Sequence, residues 1–221
     1  MKHHLNLYIG IEKKMDDLRT KAYKIIKQKI ITCEILPGEL IDLNDLVQQI
    51  GTSRTPVRDA IFELSQEKLV DIYPRRGVFA SILTIDDVKK IYDIRRQLEP
   101  FIVKTVTPSI NKPKLEEFRE YFSSELSEQN KRRYCQADFD FHMFLAQSTE
   151  NEYIMHVMDM VLCHNMRFVI RAAEIPKRLM ESNIEHIKVI EAMLEGDENQ
   201  AFKLMTKHIE KAMNSSTKSI L

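Results

Sequence analysis

Tryptophan is absent from this chain, and glycine is scarce, with five in 221 residues. So little glycine leaves few points for tight turns, and the abundance of Lys, Glu, Ile, Leu and Met favours helix. An excess of either charge is also missing, because 33 Lys and Arg balance 33 Asp and Glu. Bulk electrostatics therefore say nothing about a nucleic-acid partner, and any such reading rests on where the arginines cluster. Dividing the chain at residue 82 changes little: thirteen cationic residues face eleven anionic ones before it, and twenty face twenty-two after it. No apolar run approaches the ~20 residues of a membrane span. The stretch from Leu5 to Ile11 is too short for a signal core and runs into Glu12-Lys13-Lys14. Cys33, Cys135 and Cys163 show no CxxC spacing, which fits a reducing compartment better than a disulfide framework. The expectation is a cytoplasmic globular protein with no membrane partner.

What is present divides into two patterns. Residues 1–16 are expected to form a flexible arm. From Asp17, the positions Leu18, Ala22, Ile25, Ile26 and Ile30 repeat at helical spacing and stop before Pro37-Gly38. Asp42 is placed to cap a short helix whose apolar face is Leu43, Leu46, Val47 and Ile50, with Gly51 just past its end. Ser53 is placed to cap a third helix with Pro56 in its first turn and Val57, Ala60, Ile61 and Leu64 as its buried stripe. The period then changes to that of strands at 69–73 and 78–82, around Pro74-Arg75-Arg76-Gly77. Three helices and a hairpin within residues 17–82 predict a winged helix. From Thr84 onward, nothing reads as a strand. Residues 83–221 predict an all-α antiparallel bundle of about six helices, at 85–106, 113–130, 133–148, 152–173, 177–194 and 198–214, with Pro100 kinking the first. The fold class is thus mainly α.

Arg54 and Arg58 are one helical turn apart, on the side away from the Val57/Ile61/Leu64 stripe. Guanidiniums near the start of such a helix suit base edges or phosphates in a major groove. Ser53 and Thr55 add short donors for phosphate, and Arg75, Arg76 and Gly77 form the tip of the wing. The plain alternative is a solvated face, with Arg54 and Arg58 balanced by Asp59 and Glu63. Beyond this physical reading, the stretch 35–40, Leu46 to Gly51, the run Ser53-Arg54-Thr55-Pro56-Val57-Arg58-Asp59-Ala60, Leu64 and Leu69-Val70 resembles the GntR family of bacterial regulators. That resemblance implies operator contacts by Arg54, Thr55, Arg58 and the wing around Arg76-Gly77. Asn44 stands where the family often has a charged residue, and Lys68 stands where it commonly has glycine.

In the second half, Asp138 and His142 lie four apart on one helix. His186 and His208 lie at similar distances either side of the Gly196-Asp197 turn. An antiparallel hairpin would bring these two histidines level, and packing of the Asp138 helix across it would gather one carboxylate and three imidazoles. That donor set suits Zn²⁺, Ni²⁺ or Mn²⁺. Ordinary core or surface histidines remain the alternative. Arg95 shares the stripe of Val88, Ile91, Leu98 and Ile102, where a guanidinium needs an anion: either Glu99 one turn later or a bound carboxylate. Arg167 and Arg171 are further candidates for ligand contact.

Arg95 to Glu99, Asp138 to His142, Asn151, and Glu185-His186 through Ala201 to His208 resemble the FadR-type branch with its helical FCD domain. The resemblance implies a metal held by Asp138, His142, His186 and His208, a small organic acid touching it near Arg95, and a homodimer on a palindromic operator. The expected role is a metabolite-responsive regulator, read as a repressor. One alternative is a regulator in which the ion is itself the signal. A metal-dependent hydrolase is the other, disfavoured because there is no HExxH motif or nucleophile elbow; no enzyme is expected.

Overall fold

The structure is a computed structural model that describes residues 2–124, 127, 131–172 and 176–220, the side chains of 2–16, 176 and 220 excepted. Among these are nine α-helices and one two-stranded sheet, in two compact units, Met1–Ile82 and Leu83–Leu221.

The first unit begins with α1 (Lys2–Ile31), which starts well before the expected boundary at Asp17. The helical backbone of 2–16 replaces the expected arm: Glu12, Lys13, Lys14 and Met15 are good helix formers, and a lone Gly10 costs only about 1 kcal/mol. Ala22, Ile26 and Ile30 are fully buried, packing α1 into the core. Helix α2 (Leu43–Ile50) is capped as its sequence dictates: Asp42 accepts from the N–H groups of Asn44 and Asp45, and Gly51 ends it in the left-handed region. Helix α3 (Arg54–Gln66) buries Val57, Ala60, Ile61 and Leu64. Ser53 occupies its N-cap position but makes no side-chain capping bond.

Strands β1 (Val70–Tyr73) and β2 (Gly77–Ala80) pair antiparallel, Val70 opposite Ala80 and Tyr73 opposite Gly77. The Arg76 N–H bonds the Tyr73 carbonyl at 3.1 Å, closing a turn in which Arg75 has φ 63°. The segment 38–41 runs along β2, with Gly38 N–H to Ala80 O at 2.8 Å and Ile41 N–H to Val78 O at 2.8 Å. Gly77 is favoured by its φ of 123°, a conformation that L side chains rarely adopt; a Cβ there would also meet the tip of the exposed Leu40 side chain at 2.7 Å.

Among the described residues, the regular structure of the second unit is all helical. Helix α4 (Ile85–Val106) starts at a capping box in which Thr84 and Asp87 bond each other's backbone, and it runs on through Pro100. After it come a 3₁₀ turn (Thr107–Ser109), α5 (Lys112–Ser123), α6 (Lys131–Gln147), α7 (Glu152–Ala172), α8 (Pro176–Glu195) and α9 (Glu198–Ile220). Two ends differ from expectation. Ser124 is extended, so α5 stops at Ser123; positions 125, 126 and 128–130 of the expected helix lie outside the described residues, as does 173 of the expected 152–173 helix. Helix α9 runs past 214 through Asn214-Ser215-Ser216-Thr217, which are poor helix formers. Burial of Ser216 and its 2.9 Å hydrogen bond with the Tyr92 hydroxyl outweigh that propensity. The bundle core gathers Val88, Tyr92, Val103, Phe141, Met158, Phe168, Val189, Met193 and Met205.

Candidate functional sites

In the first unit, Arg54 and Arg58 stand exposed on α3 with Val57 and Ile61 buried behind them. Neither pairs with Asp59 or Glu63 among the described residues. Arg58 has no partner there. Arg54 Nη2 donates to Asn44 Oδ1 at 3.0 Å. Both guanidiniums line a concavity of about 480 Å³ shared with α2, the segment from Leu40 to Asp42, and Gly77 of the wing. Ser53, Thr55, Arg75 and Arg76 are exposed, and Arg76 lies over the Tyr73 ring at 5.8 Å. Lys68, where the resemblance led one to expect glycine, has φ 59°, the left-handed conformation that glycine adopts without penalty.

In the second unit, α6 supplies Asp138 and His142, α8 supplies His186, and α9 supplies His208. All four are buried, and one ligand atom from each lies within 4.8 Å of all the others. His186 Nε2 is 3.2 Å from His208 Nε2 and 3.4 Å from Asp138 Oδ1. Ligand atoms about 2.1 Å from a common ion would be separated by about 3–3.5 Å, so these two separations fit, while the full 4.8 Å spread of the set would contract on binding an ion. The hairpin works as its spacing implies. Gly196 (φ 79°) closes α8, with the Asp197 N–H bonding the Ala192 carbonyl at 2.9 Å, and Asp197 caps α9 through the Gln200 N–H.

A carboxylate orients the outer edge of one ring: His208 Nδ1 stands 2.9 Å from Glu185 Oε2, and because an ionised carboxylate only accepts, the Nδ1 proton belongs on its side and Nε2 keeps its lone pair for the centre. His142 Nδ1 lies 2.6 Å from Glu99 Oε2 but without hydrogen-bond geometry. His186 Nδ1 has no hydrogen-bond partner among the described residues. Burial pushes the His186 pKa well below its ordinary value, helped by the positive fields of His208 and His142. Burial also lowers that of His208, against the opposing hydrogen bond to Glu185. Both imidazoles are therefore held neutral, the form a metal requires. Glu185 is drawn down to about 2 despite its burial, because His208 and Arg178 bond it.

Arg95, 1% exposed, is paired with Glu99: its Nε bonds Oε1, and its Nη2 bonds Oε2 at 3.2 Å. The one-turn-later partner is thus real. Burial disfavours both charges, yet each sustains the other: Arg95 is held above its usual pKa and Glu99 well below the carboxylate range. Arg95 Nη2 also comes within 3.3 Å of His142 Nε2. A cavity of about 30 Å³ opens here, lined by Tyr92, Arg95, Asp138, Arg178, His208 and Ser216 among others. Arg167 and Arg171 do not line it. The lining positions on α7 are Val169 and Ala172. Residues two apart on a helix point to nearly opposite sides, which turns 167 and 171 away from Val169. Arg167 is buried elsewhere and Arg171 is exposed. Sequence reasoning missed Arg178, which lines the cavity and grips Glu185 with two bonds of 3.1 Å. The i, i+7 spacing of Arg178 and Glu185 was the only trace of it.

A winged helix with exposed guanidiniums, joined in one chain to a helical bundle that buries a cluster of one aspartate and three histidines, is the architecture of a DNA-binding regulator. The model of the gntR family of bacterial regulatory proteins matches residues 18–80, and that of the FCD domain matches residues 90–211. The chain belongs to the GntR family of regulators with an FCD domain. It is 27% identical to the Nta operon transcriptional regulator of Aminobacter aminovorans over 177 residues, 79% of this chain and 83% of that one. It is 19% identical to the transcriptional repressor RspR of Escherichia coli K12 over 200 residues, 88% and 87% of the two chains. The solved structure of a GntR regulator from Rhodococcus sp. RHA1 shares the fold, with a TM-score of 0.80 at 21% identity over 90% of this chain and 96% of that one. The protein is a transcriptional regulator, and its relatives are regulators rather than enzymes. No helix among the described residues is long and apolar enough to cross a membrane.

Proposed function

We propose that this protein is a cytoplasmic, homodimeric repressor of the FadR-type branch, and that a small organic acid bound at a metal centre in its FCD domain modulates its grip on a palindromic operator. Ser53, Arg54, Thr55, Arg58, Arg75, Arg76 and Gly77 form the DNA-facing set. Asp138, His142, His186 and His208 would hold a divalent ion, and one carboxylate with three imidazoles suits Zn²⁺, Ni²⁺ or Mn²⁺. When bound, the ion supplies a Lewis-acid centre for a carboxylate. The protein's own groups do the rest: Glu185 fixes the ring of His208, Glu99 stands beside that of His142, and Arg95 and Arg178 line the cavity.

The observation that carries this reading is the charge of the centre. Three carboxylates (Asp138, Glu99, Glu185) face three cations (Arg95, Arg178 and the half-exposed Lys211), so with neutral imidazoles the site is balanced. A divalent ion would leave it with a net positive charge. A site of that sign draws an anion. The cavity has room for little more than a water, so an acid the size of lactate or larger enters only as the bundle opens. Such opening is the differential response an effector needs in order to act on another part of the chain.

The test is a thermal-shift screen of organic acids on zinc-loaded full-length protein, followed by gel-shift against its own upstream DNA. An acid that raises the melting temperature and alters DNA retention supports the reading, and wild-type retention by R54A/R58A contradicts it.

A further inference from the structure

Asn44 and Arg54 are ten residues apart and belong to different helices, yet the Asn44 amide oxygen accepts from Arg54 Nη2 at 3.0 Å. Asn44 is the second residue of α2, and its backbone is itself tied down, the N–H donating to Asp42 Oδ1 at 2.8 Å. Both side chains are exposed, and both line the concavity between α2, α3 and the wing, as does Arg58. Arg58, one turn further on, has no such tether. The two guanidiniums are therefore not equivalent: one is held in place before any partner arrives, and one is free.

We propose that Asn44 is a positioning residue for DNA reading: it fixes the Arg54 guanidinium so that its remaining N–H donors meet a guanine edge, and so sets the base preference at the position Arg54 reads. The inference rests on the DNA-binding role proposed above. Arginine has five N–H donors in a rigid fork, and Asn44 occupies one. The rest suffice for guanine O6 and N7. A long side chain that must be immobilised on binding weakens the complex by about 2- to 12-fold, and the Asn44 bond removes that cost in advance. Because Asn44 is neutral, it does so without adding a phosphate-seeking charge, so the gain is in selectivity rather than in general affinity.

The experiment is selection from a random-sequence duplex library by full-length protein, followed by fluorescence anisotropy on the enriched duplex. Wild type is expected to enrich guanine at one half-site position and R54A to lose it. N44A relaxes the same position and binds the enriched duplex about 2- to 12-fold more weakly, while its affinity for a duplex altered at that position stays unchanged. N44D keeps the acceptor oxygen and therefore keeps the guanine preference, although its charge weakens binding to every duplex. Asn44→Arg adds a cation and steepens the salt dependence of binding by about 0.9 in log–log slope, with the preference relaxed. An N44A protein that selects the same motif with wild-type affinity overturns the proposal and leaves the DNA-binding role standing. If wild type enriches nothing, or R54A/R58A selects as wild type does, that role falls and this inference falls with it.

Discussion

Replacing Arg95 by methionine isolates a buried ion pair inside the helical FCD domain. Arg95 is 1% exposed and Glu99 3%, so solvent screens neither. The pair is bidentate, and Glu99 Oε2 also lies 2.6 Å from His142 Nδ1. In R95M, the Glu99 carboxylate keeps only that imidazole and stays inside the bundle with its charge poorly compensated. Removing one partner of such a pair costs about 3–5 kcal/mol, and for a chain of this size each kcal/mol lowers the melting temperature by roughly 2–4 °C. A fall of roughly 10 °C is expected. Urea unfolding followed by circular dichroism measures the free energy directly. The double variant R95M/E99L removes both charges and leaves an apolar pair of similar volume, so it recovers most of the loss. A single variant that loses less than about 1 kcal/mol, or a double variant as unstable as the single, refutes the assignment of Glu99 as the charge Arg95 neutralises.

Three further outcomes follow from local geometry. Lys68→Gly relieves a left-handed backbone and raises stability by about 0.5–1 kcal/mol, since the ~1–2 kcal/mol steric cost is partly offset by the freer unfolded chain; equal or lower stability in urea unfolding counts against it. Gly77→Ala forces a side chain onto a backbone at φ 123° and destabilises the wing unit by about 1–3 kcal/mol, read as a lower urea midpoint. In metal-stripped protein, His186 and His208 resist protonation when folded but take it up near pH 6.5 when unfolded. Stability is therefore fully present above about pH 6.5 and falls below it, by up to about 1.4 kcal/mol per pH unit for each ring. Urea midpoints measured in chelator from pH 8 to pH 5 test this, and a flat profile contradicts it.

The sequence carried those features whose cause is local. Asp42 and Gly51 at the ends of α2 announce themselves because capping chemistry acts within three residues, as does the Thr84–Asp87 box. The i, i+4 pair Asp138/His142 and the matched placement of His186 and His208 about Gly196 made the cluster readable before any coordinates, since helical rise converts spacing into height. What depends on the rotation of one helix against another was not readable. Periodicity placed Arg95 inside, yet it gave Arg167 and Arg171 the same interest as a residue that lines the cavity, and it passed over Arg178. The helical backbone at 2–16 and the last turns of α9 failed for a related reason. Propensity is a weak signal, and the Tyr92–Ser216 contact that holds α9 together joins residues 124 apart.

The central claim is that Asp138, His142, His186 and His208 form a metal centre governing a DNA-binding regulator. Calorimetric titration of Zn²⁺ into chelator-stripped full-length protein tests it most directly. The account predicts one ion per chain, with protons released on binding, and loss of that binding in H186A and H208A. No uptake by wild type, or undiminished uptake by both variants, would contradict it.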